Sequence, residues 1–254
     1  MPDYPELAGK VAVVTGGANG IGRACVKAFV AQGVSVVIGD RDAAAGAATL
    51  DGLPAGSQAL FVATDVADAD SVAAMVGVAV DAFGGLDIAF NNAGVEAAGR
   101  TVADMTDQDW HRVIDVNLTG VWQCMRAELP ALLARGGGSI VNTASALGQV
   151  ALPRQASYVA SKHGVIGLTK AAALEYSALG VRINAVCPGV VQTAMIDEVA
   201  AANPGFMSDM YSAHPIGRIA VVDEIVEGVL WLSSSASAFV TGTALSIDGG
   251  YSAA

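Results

Sequence analysis

Tyr158 and Lys162 stand four residues apart in a stretch with helical spacing, so their side chains share one helix face. A phenol with an ordinary pKa of about 10 is a poor base at neutral pH, but a neighbouring ammonium favours its phenolate. Such a pair can take a proton from an alcohol while hydride leaves the same carbon, or return a proton to a ketone. Ser145 follows Ser139 to Thr143, a run that reads as a strand, and its hydroxyl can hydrogen-bond an oxygen on which charge develops. Taken alone, the serine would read as a turn residue and the Tyr/Lys pair as ordinary surface. A hydrolase nucleophile is excluded for Ser145, because no Gly-x-Ser-x-Gly elbow surrounds it and no acid–His pair is recognisable.

A glycine run far upstream, Thr15-Gly16-Gly17-Ala18-Asn19-Gly20-Ile21-Gly22, supplies the second half of a site. It follows Val11-Ala12-Val13-Val14, which reads as a buried parallel strand, and precedes helical spacing from Ile21 to Gln32. Gly16 permits a sharp turn, and Gly20 and Gly22 lack the Cβ that would keep backbone and helix away from a pyrophosphate. The helix N-terminus adds free N–H groups and a partial positive charge. The spacing is not Gly-x-Gly-x-x-Gly, so the run by itself is also compatible with a plain strand-to-helix turn.

Apolar runs alternate with helical stretches along the whole chain, as a doubly wound α/β sheet requires. Strands are predicted at Val11 to Thr15, Val34 to Asp40, Ala59 to Thr64, Leu86 to Asn91, Ser139 to Thr143, Arg182 to Cys187 and Ala244 to Ile247. Helices are predicted at Ile21 to Gln32, Ala43 to Asp51, Ala69 to Phe83, Asp107 to Arg135, Tyr158 to Ala178 and Asp223 to Leu232. Right-handed crossovers put every strand C-terminus on one edge, where ligands bind in a crevice. Gly16, Asp40, Asp65, Asn91, Ser145 and Pro188 all fall at or just beyond such ends.

These motifs, in this order, make the chain resemble a single-domain short-chain dehydrogenase/reductase over essentially its whole length. The resemblance rests on Thr15 to Gly22, Asp65, Asn91-Asn92-Ala93-Gly94, Asn117, Ser145, Tyr158 to Lys162, Pro188-Gly189 and Thr193. It implies a doubly wound (Rossmann) parallel sheet of about seven strands and nicotinamide-dependent interconversion of a secondary alcohol and a ketone, with Ser145, Tyr158, Lys162 and Asn117 as the catalytic set. By resemblance, Lys162 also bonds the nicotinamide ribose and Asn117 holds a water that links Lys162 to solvent. Asn117 could instead simply bend its helix. Asn92, Ala93 and Gly94 would line the adenosine ribose, Asp65 and Val66 would address the adenine, and Pro188, Gly189, Val191 and Thr193 would hold the nicotinamide amide and a phosphate.

Asp40, at the end of the second strand, stands where such a site places the acid that bonds a ribose 2′-OH; a 2′-phosphate would be repelled there. Arg41 competes, since a guanidinium could accept that phosphate. Asn19, where NADP-using relatives often carry a base, is uncharged, so NAD is expected over NADP. A segment at about 193–218, with Met195, Ile196, Phe206, Met207, Met210, Tyr211 and His214, is expected to cover the cleft, methionines making an adaptable lining. Gln149, Val150, Gln155 and Met195 are expected substrate contacts, for a largely apolar alcohol or ketone. His111, His163 and His214 show no zinc spacing, and no metal is expected. Two other readings are an acyl-carrier-protein 3-oxoacyl-thioester reductase using NADPH and a non-catalytic dinucleotide sensor.

A formal net charge of -11 excludes a phosphate backbone or an anionic membrane surface as partner. Cys25, Cys124 and Cys187 fit neither a disulfide framework nor a zinc site, and the first residues lack a secretory pattern, so a reducing cytoplasm is expected. The uncharged stretch from Gly228 to Ile247 is interrupted by serines and threonines and reads as a helix end and a strand rather than a membrane span. At 53% hydrophobic residues, with apolar side chains on several faces of the Asp107 and Tyr158 helices, some apolar surface is expected to be covered by other subunits. The family resemblance, in which these helices pair across a dimer and a second interface forms near Asp248-Gly249-Gly250-Tyr251, implies a homotetramer.

Overall fold

The computed structural model describes residues 3–193, 196–197, 200–201, 203 and 205–253. Met195 and Pro204 lie outside the described residues. The uninterrupted apolar run of β1 (Val11–Thr15) is buried along its length because helices cover both faces of the sheet. Ala12 and Val14 face a core completed by Cys25, Val26 and Phe29 of α1 (Gly20–Ala31) and Val226, Val229 and Leu230 of α8 (Val222–Ser233). Val11 and Val13 face the opposite core, with Val72 and Met75 of α3 (Ala69–Phe83), Val121 and Met125 of α5 (Gly120–Ala134) and Val165 of α6 (Ala156–Tyr176). The period-two alternation of one strand thus serves two helix layers.

β2 (Ser35–Asp40), β3 (Ala59–Ala63), β4 (Ile88–Asn91), β5 (Gly138–Thr143), β6 (Val181–Pro188) and β7 (Ala244–Ile247) complete a seven-stranded sheet of order β3-β2-β1-β4-β5-β6-β7. Every pairing is parallel. The strand order reverses between β1 and β4, which makes the C-terminal edge there a switch point of the kind at which such sheets bind ligands. The uncharged Gly228–Ile247 stretch is the end of α8, a short turn at Ser235–Ser237 and β7. Among the described residues no helix is long and apolar enough to cross a membrane.

Polar side chains start the helices where the sequence places them. Asp42 caps α2 (Ala43–Asp51) through the Ala45 N–H, and Asp68 caps α3 through the Asp70 and Ser71 N–H groups. A Thr106–Asp109 capping box opens α4 (Asp107–Ile114). The predicted single helix from Asp107 to Arg135 is corrected: a π-helical turn at Asp115–Thr119 separates α4 from α5. Asn117 lies in this turn, fully buried, and its amide is bound to Val95 of the β4–α4 loop rather than to its own helix. That outside partner offsets the less favourable wide turn. In the segment at about 193–218, α7 (Phe206–Ala213) is a short helix that ends at His214.

Candidate active site

Gly16 and Gly20 both adopt positive φ, 61° and 49°, which carries the chain from β1 into α1 in a turn that L side chains rarely follow. Beside Gly20 a Cβ would find nothing nearer than the Thr193 methyl at 3.7 Å, so the start of α1 offers open space for a close ligand. Gly22 has a different role from the one its position suggests. A Cβ there would lie 2.0 Å from the Gly16 carbonyl oxygen, so this glycine is required by the loop's packing on its own helix. Thr193, from the loop after β6, comes across to face Gly20, as its place in the motif implies. Asn19 is exposed at the N-cap of α1, where its side chain makes no capping bond, and Ile21 is half-buried.

Asp40, at the C-terminal end of β2, accepts hydrogen bonds from the Ala18 N–H at 3.1 Å and from the Asp42 N–H at 3.1 Å. Thr49 donates to the Ala18 carbonyl at 3.1 Å, so the glycine loop is held from both sides. Arg41 is exposed next to Asp40. Asp65 receives the Ala67 N–H at 2.9 Å, and the Val66 carbonyl is fixed by the Gln123 amide at 3.0 Å while its side chain packs on Gly120. After β4, the Asn92 and Ala93 N–H groups donate to Thr15 Oγ1 at 3.0 and 3.2 Å, and the Asn92 amide reaches the Thr15 and Gly16 carbonyls. These bonds tie the β4 exit to the glycine turn across the switch point.

Ser145 lies just beyond β5 and is largely buried; its Oγ accepts the Leu147 N–H at 3.1 Å and stands close enough to the Tyr158 phenol to pull its pKa down. Tyr158 is half-buried in the first turn of α6, with the Lys162 ammonium 5.5 Å from its ring centroid. Lys162 is 3% exposed and donates to the Thr143 carbonyl at 2.7 Å. Three of the four residues expected to carry chemistry therefore meet at the end of β5. Asn117 sits one layer behind: its Oδ1 accepts the Val95 N–H at 2.8 Å and its Nδ2 donates to the Val95 carbonyl at 2.9 Å. A weaker bond of 3.4 Å joins it to Ser161 Oγ beside Lys162.

The electrostatics differ from the expectation that Lys162 lowers the phenol. Burial pushes the Tyr158 hydroxyl above its ordinary value, the Glu96 carboxylate pushes it further, and the Ser145 hydrogen bond pulls it back only in part. Burial also lowers the Lys162 ammonium, to about 8, against the opposing pull of Glu96. A cation that is itself starved of water holds its proton weakly, which limits the field it offers the phenol.

Among the expected substrate contacts, Gln149 is exposed and its Oε1 accepts the Ser246 hydroxyl of β7 at 3.1 Å. Val150 is half-buried, and Gln155 is the N-cap of α6 with a buried Oε1 that has no partner. Pro188 ends β6 opposite Ile247, and Val191 bridges to Ala220. A Cβ on Gly189 would lie 2.7 Å from His214 Nε2. Three residues that the motifs did not mark prove to be built into this region. Glu96 acts electrostatically on both Tyr158 and Lys162, and its place just beyond a strand end was the available signal. His214 is buried, accepts the Val190 N–H at 3.2 Å and contacts the Met210 carbonyl, which links α7 to the β6 exit; the sequence offered no spacing signal for it. Glu128, an acid in an apolar helix stretch, is wholly buried beneath Asn91. Among the described residues no three His, Cys, Asp or Glu side chains gather as a metal site, and the three cysteines are free and buried.

Residues 16–252 match a family model described as enoyl-(acyl carrier protein) reductase. The chain is 42% identical over 249 residues, 98% of this chain and 99% of the relative, to a 2,5-dichloro-2,5-cyclohexadiene-1,4-diol dehydrogenase of Sphingobium indicum. It is 43% identical over 243 residues, 95% of this chain and 94% of the relative, to a cyclohexanol dehydrogenase of an Acinetobacter species. The solved structure of levodione reductase superimposes with a TM-score of 0.90 at 34% identity, covering 97% of this chain and 99% of that one. With a glycine turn, a Ser/Tyr/Lys cluster and a seven-stranded doubly wound sheet in the same molecule, the chain belongs to the short-chain dehydrogenase/reductase family of oxidoreductases.

Proposed function

We propose that this protein is an NAD-dependent dehydrogenase that interconverts a cyclic secondary alcohol and its ketone. The observation that carries the reading is the meeting of Ser145, Tyr158 and Lys162 at the end of β5, beside the switch point that the glycine turn occupies. Ser145 holds the reacting oxygen, Tyr158 takes its proton or returns one, and Lys162 fixes the phenol and the ribose side of the site. The nicotinamide ring, when bound, accepts or gives the hydride. Related proteins named for a cyclohexadiene diol and for cyclohexanol support a cyclic substrate. Gln149, Val150, Gln155 and Met195, with the segment at about 193–218, supply its contacts.

The residues present fit a dinucleotide. The space beside Gly20 admits a pyrophosphate against the free N–H groups of α1, and Gly94 runs close above Lys162. Asp40 spends one bond on each carboxylate oxygen and keeps lone pairs for ribose hydroxyls, which favours NAD over NADP. The fit extends to Asn19, Ile21, Arg41, Asp65, Val66, Asn92, Ala93, Pro188, Gly189, Val191 and Thr193 as the cofactor's surroundings. The family model's description favours a second reading, reduction of an acyl-carrier-protein thioester with NADPH. The charge of -11 and Asp40 both speak against an acidic carrier and a 2′-phosphate.

The assay is turnover of cyclic alcohols and ketones with each cofactor. Wild type is expected to favour NAD in kcat/KM at least tenfold, and Asp40→Ala to narrow that ratio. Faster turnover with NADP in wild type would refute the cofactor assignment, and NADH binding without any turnover would favour a sensor. A homotetramer in the cytoplasm belongs to the same proposal. Exposed Trp122 on α5 and Leu174 on α6 suit burial between copies, and a light-scattering mass of a single 25.4 kDa chain would contradict it.

A further inference from the structure

Gly94, Val95 and Glu96 carry the chain out of β4 directly over the catalytic lysine. A Cβ on Gly94 would stand 3.7 Å from Lys162 Nζ and 3.4 Å from Asn117 Oδ1. Val95 is gripped at both its N–H and its carbonyl by Asn117, and the Glu96 carbonyl accepts from the Arg112 guanidinium. Two residues of chain span at most about 7 Å, so with the backbone fixed on both sides the Glu96 side chain cannot leave the neighbourhood of Lys162. Glu96 is exposed as a residue, and among the described residues no hydrogen bond or ion pair engages its carboxylate. Lys162 is turned to the Thr143 carbonyl and Arg100 to Asp109. Loss of water raises the Glu96 carboxyl above the ordinary range, against the opposing pull of the Lys162 and Arg112 cations. An uncommitted acceptor with a negative charge, beside the atoms that handle the substrate oxygen, discriminates among substrates by what they carry elsewhere on the ring.

We propose that Glu96 is a specificity determinant: it accepts a hydrogen bond from a second hydroxyl of a cyclic diol and repels cyclic alcohols that bear a carboxylate. The proposal rests on the reading that the Tyr158 site oxidises cyclic secondary alcohols, and it narrows that class to neutral, polyhydroxylated rings. A like charge held a few ångströms away is disfavoured, and a donor opposite a charged acceptor makes a hydrogen bond about twice as strong as a neutral one.

The test is kcat/KM at pH 8 for cyclohexane-1,4-diol, 4-hydroxycyclohexanecarboxylate and cyclohexanol, in wild type, Glu96→Gln and Glu96→Ala. The first two are expressed as ratios to cyclohexanol on the same protein, which cancels any general effect on Tyr158 or on folding. In both variants the diol ratio is expected to fall at least fivefold and the carboxylate ratio to rise at least fivefold. Smaller shifts, or a shift in only one of the two ratios, overturn the proposal. Should wild type bind NADH yet oxidise none of the three with NAD or NADP, the dehydrogenase reading itself fails, and the inference with it.

Discussion

Tyr158 is a base only after losing a proton that burial and Glu96 help it keep. On the proposed mechanism, alcohol oxidation depends on a form that is scarce at neutral pH, whereas ketone reduction uses the abundant protonated phenol. The kcat/KM for oxidation is expected to rise close to tenfold per pH unit between about pH 7 and 9, while reduction stays flat over that range. Tyr158→Phe should lower both by about 10²–10⁴-fold and leave NADH binding intact, as fluorescence titration would show. A flat oxidation profile would mean that another group takes the proton.

At the scale of elements, the π-helical turn between α4 and α5 is the piece that brings the β4 exit under control. One wide turn places Asn117 where its amide pairs with Val95 as a neighbouring strand would, with bonds of 2.8 and 2.9 Å. The loop carrying Gly94 and Glu96 is thereby fixed above Lys162. Asn117→Ala removes both bonds and leaves Val95 polar groups to find other partners, at about 1–3 kcal/mol of stability. The expected result is a lowered thermal midpoint and a kcat reduced more than tenfold, with NADH affinity little changed because the glycine turn is untouched. Equal loss of kcat and NADH binding would show that the turn supports the whole edge of the sheet rather than this loop.

For the molecule as a whole, Glu128 couples stability to pH. It is fully buried, accepts the Asn91 amide at 3.0 Å, and has its carboxyl pushed up to about 7 by loss of water. Asn91 also donates to Asn142, which donates to Thr169, so the network crosses from β4 to β5 and α6. Glu128 Oε1 and Asn91 Oδ1 both lack partners, which a protonated carboxyl would satisfy as donor and acceptor. Because the folded chain holds this proton more tightly than the unfolded one, the stabilisation is complete below the ordinary carboxyl range near 4.5 and is lost as pH rises through about 7. The loss is on the order of 3 kcal/mol. Glu128→Gln, which offers a permanent N–H donor, is expected to flatten the fall in thermal midpoint between pH 5 and 8. An unchanged slope would place the titration elsewhere.

Residue types and periodicity were enough to place seven strands along the chain, to set the glycine turn at the start of α1 and to put Ser145 at the edge where strands end, because period-two and helical patterns are local and parallel winding leaves one place for strand ends to meet. That Tyr158 and Lys162 join Ser145 there came from the family resemblance. Asn117 was legible as a helix-unfavourable residue, but its partner was not, since Val95 lies 22 positions away and only packing joins them. The same holds for Gly22, whose missing Cβ makes room for the Gly16 carbonyl, a contact that the spacing does not reveal. It holds for Glu96, Glu128 and His214 as well, whose burial, charge and contacts come from elements distant in the chain. The sequence alone determined which chemistry the chain can carry. Protonation, and the neighbours that tune it, were decided only by the tertiary structure, because water exclusion and the field of a nearby charge depend on distances that no spacing along the chain specifies.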